Sequence, residues 1–187
     1  MTKEIIFRES ISYIQRKIKE ILNNVSQNEI GKVKKLFFSS NRIFVYGAGR
    51  SGLVAKAFAI RLVHLGFQTF VIGETITAPV NKGDLVIIIS GSGETIPAVM
   101  TAEIAHNLDA DVVSITAKKN SAIARYADVT LYISSTCNEV ERKKFAPLGT
   151  LFEASVWILL DGLIAELLVS KNETEEMMRS RHATLEQ

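Results

Sequence analysis

The sequence holds a single cysteine, Cys137, among 187 residues, so no internal disulfide framework can form and the chain suits a reducing compartment. No histidine stands near Cys137 in sequence, which argues against a cysteine nucleophile. Neither sign of charge is in excess: 22 basic and 20 acidic side chains leave a formal net charge of +2, and nothing electrostatic points to nucleic acid or an anionic membrane. The basic clusters Lys32 to Lys35 and Arg142 to Lys144 are short and read as solvated faces. Also missing is an uninterrupted apolar run of membrane length. Leu151 to Val169 comes nearest, but Glu153, Asp161 and Glu166 fall inside it, and three carboxylates are costly in a bilayer; a buried or interface helix is expected. The segment Met1 to Ile6 lacks the apolar stretch and small-residue cleavage site of a signal peptide, so the expected location is the cytoplasm. No linker, internal repeat or low-complexity stretch divides the chain, and one domain over 1–187 is expected.

What the chain does hold is a change of periodicity. Ile5, Ile11, Ile14, Ile18, Ile21 and Val25 recur at helical spacing and a second helix covers about Gln27 to Phe38, so residues 1–40 open with helices. From 41 to 170 short apolar runs alternate with helical patterns. The runs are Arg42 to Tyr46, Gln68 to Ile72, Asp84 to Ile89, Asp111 to Thr116 and Val129 to Ile133; the helices are placed at 51–65, 94–108, 121–126 and 150–169. Five such strands predict an α/β fold with a parallel sheet covered on both faces, a doubly wound sandwich, followed by a C-terminal helical tail at 171–187. Ligands of such sheets bind beyond the carboxyl ends of the strands.

Two glycine-rich turns fall at those ends. Ser90-Gly91-Ser92-Gly93-Glu94-Thr95 combines glycines that let a backbone approach an anion, a helix start with unpaired N–H groups, and three hydroxyl donors. It carries no lysine and is not a nucleotide P-loop; a small phosphate ester fits it. Gly47-Ala48-Gly49-Arg50-Ser51-Gly52 spells a dinucleotide fingerprint, with Glu74 near the place of a ribose-binding acid. Against that reading stand the lack of room for a second domain and the hydroxyl chemistry of the other turn.

Thr150-x-x-Glu153 has the spacing of a capping box, which makes Glu153 a helix cap. The flanking Leu151 and Phe152 provide apolar surface of the kind that strengthens a carboxylate as a general base, and both readings stay open. His64 and His106 lie near helix ends with no partner at metal-ligand spacing, so no metal site is expected. His182 belongs to a dense cationic patch, Arg179-Ser180-Arg181-His182, whose plain reading is a solvated helix face.

With these residues in view, the chain resembles the sugar isomerase (SIS) domain family, and within it the 6-phospho-3-hexuloisomerases. The likeness runs nearly end to end, through the first turn, His64-Leu65-Gly66, Gly73-Glu74-Thr75, the 90–95 turn, Pro147 to Glu153 and the tail Arg181 to Glu186. Thr184 departs from the pattern, which has Asn there. The resemblance implies a three-layer, flavodoxin-like SIS domain and a ketose phosphate isomerase, an intramolecular oxidoreductase that shifts a carbonyl between C3 and C2 through a cis-enediolate. It implies Glu153 as the base and His182 in ring opening or proton transfer, in its own or a neighbouring subunit's site. Arg50, Ser51, Ser90, Gly91, Ser92, Gly93, Glu94 and Thr95 are the implied substrate- and phosphate-binding set, with neither cofactor nor metal. A homotetramer acting on a phosphorylated ketohexose, with hexulose-phosphate synthase as pathway partner, completes the expectation. Arabinose 5-phosphate and sedoheptulose 7-phosphate isomerases and a non-catalytic sugar-phosphate sensor are the alternatives.

Overall fold

In the computed structural model, which describes residues 3–133 and 137–183, five parallel strands form one sheet in the order β2-β1-β3-β4-β5. They are β1 (Ile43–Gly47), β2 (Thr69–Val71), β3 (Leu85–Ile89), β4 (Asp111–Thr116) and β5 (Val129–Tyr132). Central β3 reads Leu-Val-Ile-Ile-Ile and is buried at every position, as a strand covered on both faces requires. Alternate side chains divide between two cores: Ile87 and Ile89 join one, Val86 and Ile88 the other.

The first core is roofed by α1 (Lys3–Asn23), α2 (Gln27–Ser39), α3 (Arg50–His64) and α7 (Thr150–Ser170). It holds the large side chains, among them Tyr13, Phe37, Phe58, Leu62 and Leu160. The second lies under α4 (Ile96–Asn107) and α5 (Ala122–Arg125), where Ala98, Ala102 and Ala105 let α4 approach the sheet closely. The three-layer parallel sandwich expected from the alternating runs is the observed fold.

Local differences have local causes. The crossover from β2 to β3, residues 72–84, carries no helix. Helix α6 (Glu139–Phe145) has no buried residue, hence no apolar stripe in its sequence; it is started by Asn138, whose side chain accepts from the N–H groups of Val140 and Glu141. Among the described residues of the tail only α8 (Glu175–Ser180) is helical, capped by Thr174. Thr184, Leu185 and Glu186 of the tail motif lie outside the described residues.

The strand order reverses between β1 and β3, which are paired so that Gly47 faces Ile89. The turns that follow these two strands therefore lie side by side at the carboxyl edge, where an open α/β sheet binds its ligands. At the opposite edge the same two strands are clamped. Asp84, 1% exposed, accepts from Arg42 Nε at 3.0 Å, from Arg42 Nη2 at 2.6 Å and from the Asn81 N–H at 2.8 Å. Removing one partner of a buried pair leaves the other without its counter-charge. Asp84→Ala is therefore expected to cost about 3 kcal/mol, seen in urea unfolding as a lower midpoint at unchanged slope; a midpoint within error of the parent would show that the clamp does not hold the sheet.

Candidate functional site

The first turn is shaped by close approach. A Cβ on Gly47 would lie 2.7 Å from the Ser51 carbonyl group and one on Gly52 would lie 2.6 Å from the Gly47 oxygen, so only glycine lets α3 start against the end of β1. Gly49, at φ +58°, makes the turn itself. Ser51 is pulled beneath the turn, 8% exposed, whereas the Arg50 side chain projects outward, 68% exposed.

The second turn is braced by its own hydroxyls. Buried Ser90 accepts the Gly93 N–H at 3.2 Å and donates to Thr95 Oγ1 at 3.3 Å, while Ser92 accepts the Glu94 N–H at 3.2 Å. Gly93 has φ +66°, and a Cβ there would fall 2.3 Å from Ser121 Cβ. Glu94 reaches away to accept the Ala122 N–H at 3.2 Å, tying the turn to α5. Helix α4 then begins with no side-chain cap from Thr95. Its first N–H groups, the dipole of the helix and the hydroxyls beside it are groups that could hold an anion.

The capping box does not form. Leu148, at φ +56°, and Gly149 turn the chain so that Gly149 is the N-cap and Thr150 the first helical residue, its hydroxyl donating to the Pro147 oxygen at 2.6 Å. Glu153 is thereby released from capping. Its carboxylate, with the side chain 14% exposed, accepts from Arg50 Nε at 2.5 Å. A Cβ on Gly149 would lie 2.9 Å from Glu153 Oε1, and one on Gly91 would lie 3.1 Å from the Phe152 ring. Gly149 thus gives the carboxyl its room, and the Gly91–Phe152 contact brings the start of α7 against the hydroxyl turn. Arg50, Thr150, Glu153, Leu53, Trp157 and Ile158 line a cavity of about 450 Å³. The sequence reading did not find the Arg50–Glu153 pair or the role of Gly149; the glycine four residues before the acid was the available signal.

His182 stands elsewhere. Its ring stacks on buried His64 at 5.0 Å between centroids, at the far end of α3. Arg181 fixes it there by donating to the His64 carbonyl at 2.9 Å and to both carboxylate oxygens of Glu173 at 2.8 and 3.1 Å. Arg181, His182 and His64 line a second cavity of about 450 Å³ with Lys56, Thr69 and Glu74. Glu74, the acid of the dinucleotide pattern, is paired to Lys56 at 2.5 Å. From Arg50 to His64 the helix rises about 21 Å, so His182 and Glu153 of one chain do not meet over one substrate. His106 faces the Tyr126 ring. Among the described residues no helix is long and apolar enough to cross a membrane, and no three His, Cys, Asp or Glu side chains gather where a metal could be held.

The SIS domain model matches residues 36–150 of the chain. A protein of Archaeoglobus fulgidus is 39% identical over 94% of this chain and 98% of its own. The 3-hexulose-6-phosphate isomerase of Bacillus subtilis is 37% identical over 93% of this chain and 97% of its own. The crystal structure of a Methanococcus jannaschii protein, from which a molecular function of 3-hexulose-6-phosphate isomerase was inferred, superposes with a TM-score of 0.85 at 31% identity, covering 95% of this chain and 99% of that one.

Burial, then the nearby charges of His182 and Arg61, push the His64 pKa below its ordinary value. The unfolded chain then binds the proton more readily than the folded protein. The resulting stability is full above about pH 6.5 and declines as the pH falls through the lowered folded value. Proton NMR is expected to show His64 titrating below a free histidine and moving upward in His182→Ala. An ordinary midpoint in the parent protein would contradict the stacked, buried placement.

Proposed function

The chain belongs to the SIS domain family, and on that premise we propose that it is a 3-hexulose-6-phosphate isomerase, converting D-arabino-3-hexulose 6-phosphate reversibly to fructose 6-phosphate. The reading is carried by one observation: an acid freed from helix capping, Glu153, follows Phe152, whose ring packs on Gly91 of the hydroxyl-rich turn, in a chain 37% identical, nearly end to end, to an isomerase of that name. The cradle at Ser90, Ser92 and Thr95, with the first N–H groups of α4, holds the phosphate. The reacting carbons extend toward Glu153.

Glu153 takes the proton from C2, next to the C3 ketone, and the electron pair moves into a C2–C3 enediolate. The hydroxyl proton shifts from O2 to O3 and a proton returns to C3, leaving the ketone at C2. No net electron enters or leaves the sugar. Arg50 uses only Nε on Glu153, so the N–H groups of its exposed end remain for the enediolate oxygens or the phosphate. His182 serves the site of a neighbouring subunit in ring opening or proton transfer, a reading supported by the roughly 21 Å length of α3 that separates it from Glu153 within one chain. The same reading gives a homotetramer in the cytoplasm, supplied by a hexulose-phosphate synthase.

Incubation with a panel of phosphorylated ketoses and aldoses, with products identified by NMR, is expected to show turnover of the 3-hexulose phosphate far ahead of arabinose 5-phosphate and sedoheptulose 7-phosphate. Tight binding of fructose 6-phosphate with no turnover would instead mark a sensor. Glu153→Gln preserves size and, since the side chain caps nothing, is expected to leave the melting temperature almost unchanged. Its kcat should fall by about two to four powers of ten, the usual share of a general acid or base. A near-normal kcat would remove Glu153 from the chemistry.

A further inference from the structure

Leu148 holds a backbone conformation that its side chain does nothing to favour. It stands at φ +56° with 90% of its surface exposed, and a leucine in the left-handed region crowds its own Cβ against the following carbonyl. A neighbour must hold the turn. The Leu148 carbonyl lies just before the α7 ladder, whose first acceptor is Gly149, bonded by the Glu153 N–H at 3.0 Å; it accepts instead from Arg142 Nη1 at 3.2 Å. Arg142 is the inward member of its basic run, its side chain 21% exposed where that of Lys143 is 72% exposed. Glu139 aims the guanidinium, accepting from Nε and Nη2 at 3.3 Å each, which leaves Nη1 for Leu148. Three residues on, Phe145 packs beside the Tyr13 ring at 5.5 Å between centroids and seats the same flank of α6 against α1.

The chain has a second way to start α7. Thr150 and Glu153 keep the spacing of a capping box, in which Thr150 would be the cap and the Glu153 carboxylate would turn back to the Thr150 N–H. With Leu148 left-handed, that N–H meets the Pro147 carbonyl at 3.4 Å, the Thr150 hydroxyl donates to the same oxygen at 2.6 Å, and Glu153 accepts from Arg50 instead. With Leu148 at negative φ this arrangement is lost and the box is free to close. We propose that Arg142 is a positioning residue for Glu153: by holding the Leu148 carbonyl it keeps Gly149 as the cap of α7 and the carboxylate turned to Arg50. It acts through the turn, which is why it stands on a short helix outside the cavity that Glu153 lines. The catalytic consequence rests on the isomerase reading; the control of the turn does not.

Arg142→Ala is expected to lower kcat about ten- to a hundredfold, the factor carried by a hydrogen bond from a charged donor, with KM almost unchanged because the hydroxyl turn is untouched. Leu148→Gly alone should turn over like the parent. Added to Arg142→Ala it should restore most of the lost kcat, because glycine takes a positive φ with no Cβ to crowd. Removing an exposed side chain six residues away would not repair a merely structural loss. In a crystal structure of Arg142→Ala, Leu148 is expected at negative φ, with Glu153 accepting from the Thr150 N–H. Glu153 still on Arg50 there would overturn the proposal, as would a double variant no faster than Arg142→Ala, or a raised KM at full kcat. Glu139→Gln, at an exposed acid, keeps the fold and unaims the guanidinium; it should shift kcat the same way more weakly. If Arg142→Ala does not fold, parent kcat and parent turn geometry in Glu139→Gln overturn the proposal. If the parent turns over no phosphosugar while Glu153 swings back in Arg142→Ala, the isomerase reading fails and the positioning stands.

Discussion

Everything at the carboxyl edge depends on how closely α3 meets β1. With side chains at Gly47 and Gly52 the helix could not begin at residue 50 without a steric overlap of backbone atoms. Started where it is, α3 points Arg50 across to Glu153 and, a helix length later, places His64 beneath the tail. A longer connection would give neither alignment. The turn after β3 is placed by the same economy, since Gly47 and Ile89 are register partners.

The two faces of the sheet are used differently. Under α4 the contacts are alanines, and the helix sits low, with its first turn brought over the hydroxyl turn of Ser90 to Thr95. Under α3 and α7 the contacts are bulky, and these helices stand where their outer surfaces remain available. The hydroxyl turn and Glu153 thus come from opposite layers, and Gly91 and Phe152 are in contact between them.

Much of this was legible in the linear pattern. A fully buried parallel strand must be a continuous apolar run, which is why β3 declared itself, and the hydroxyl-rich turn lies between strand and helix where the pattern placed it. What was not legible depends on conformation or distance. The N-cap at Gly149 instead of Thr150 turns on a positive φ at Leu148, which a leucine gives no reason to expect. The pairing of Arg50 with Glu153 and the stacking of His64 on His182 join residues over a hundred positions apart. Helix α6 depends on an Asn138 cap and exposed charges, and so left no periodic trace.

The Arg42–Asp84 clamp sits at the amino edge of the sheet, as far from the turns as the strands allow. Mutational drift at the site and mutational drift in the anchorage are therefore largely uncoupled. Lineages sharing this scaffold can exchange residues around Arg50, Ser92 or Thr150 to suit a different phosphorylated sugar while the strand ends stay fastened. Divergence in substrate preference within such a group should concentrate at one rim of the sheet, with the opposite rim changing more slowly.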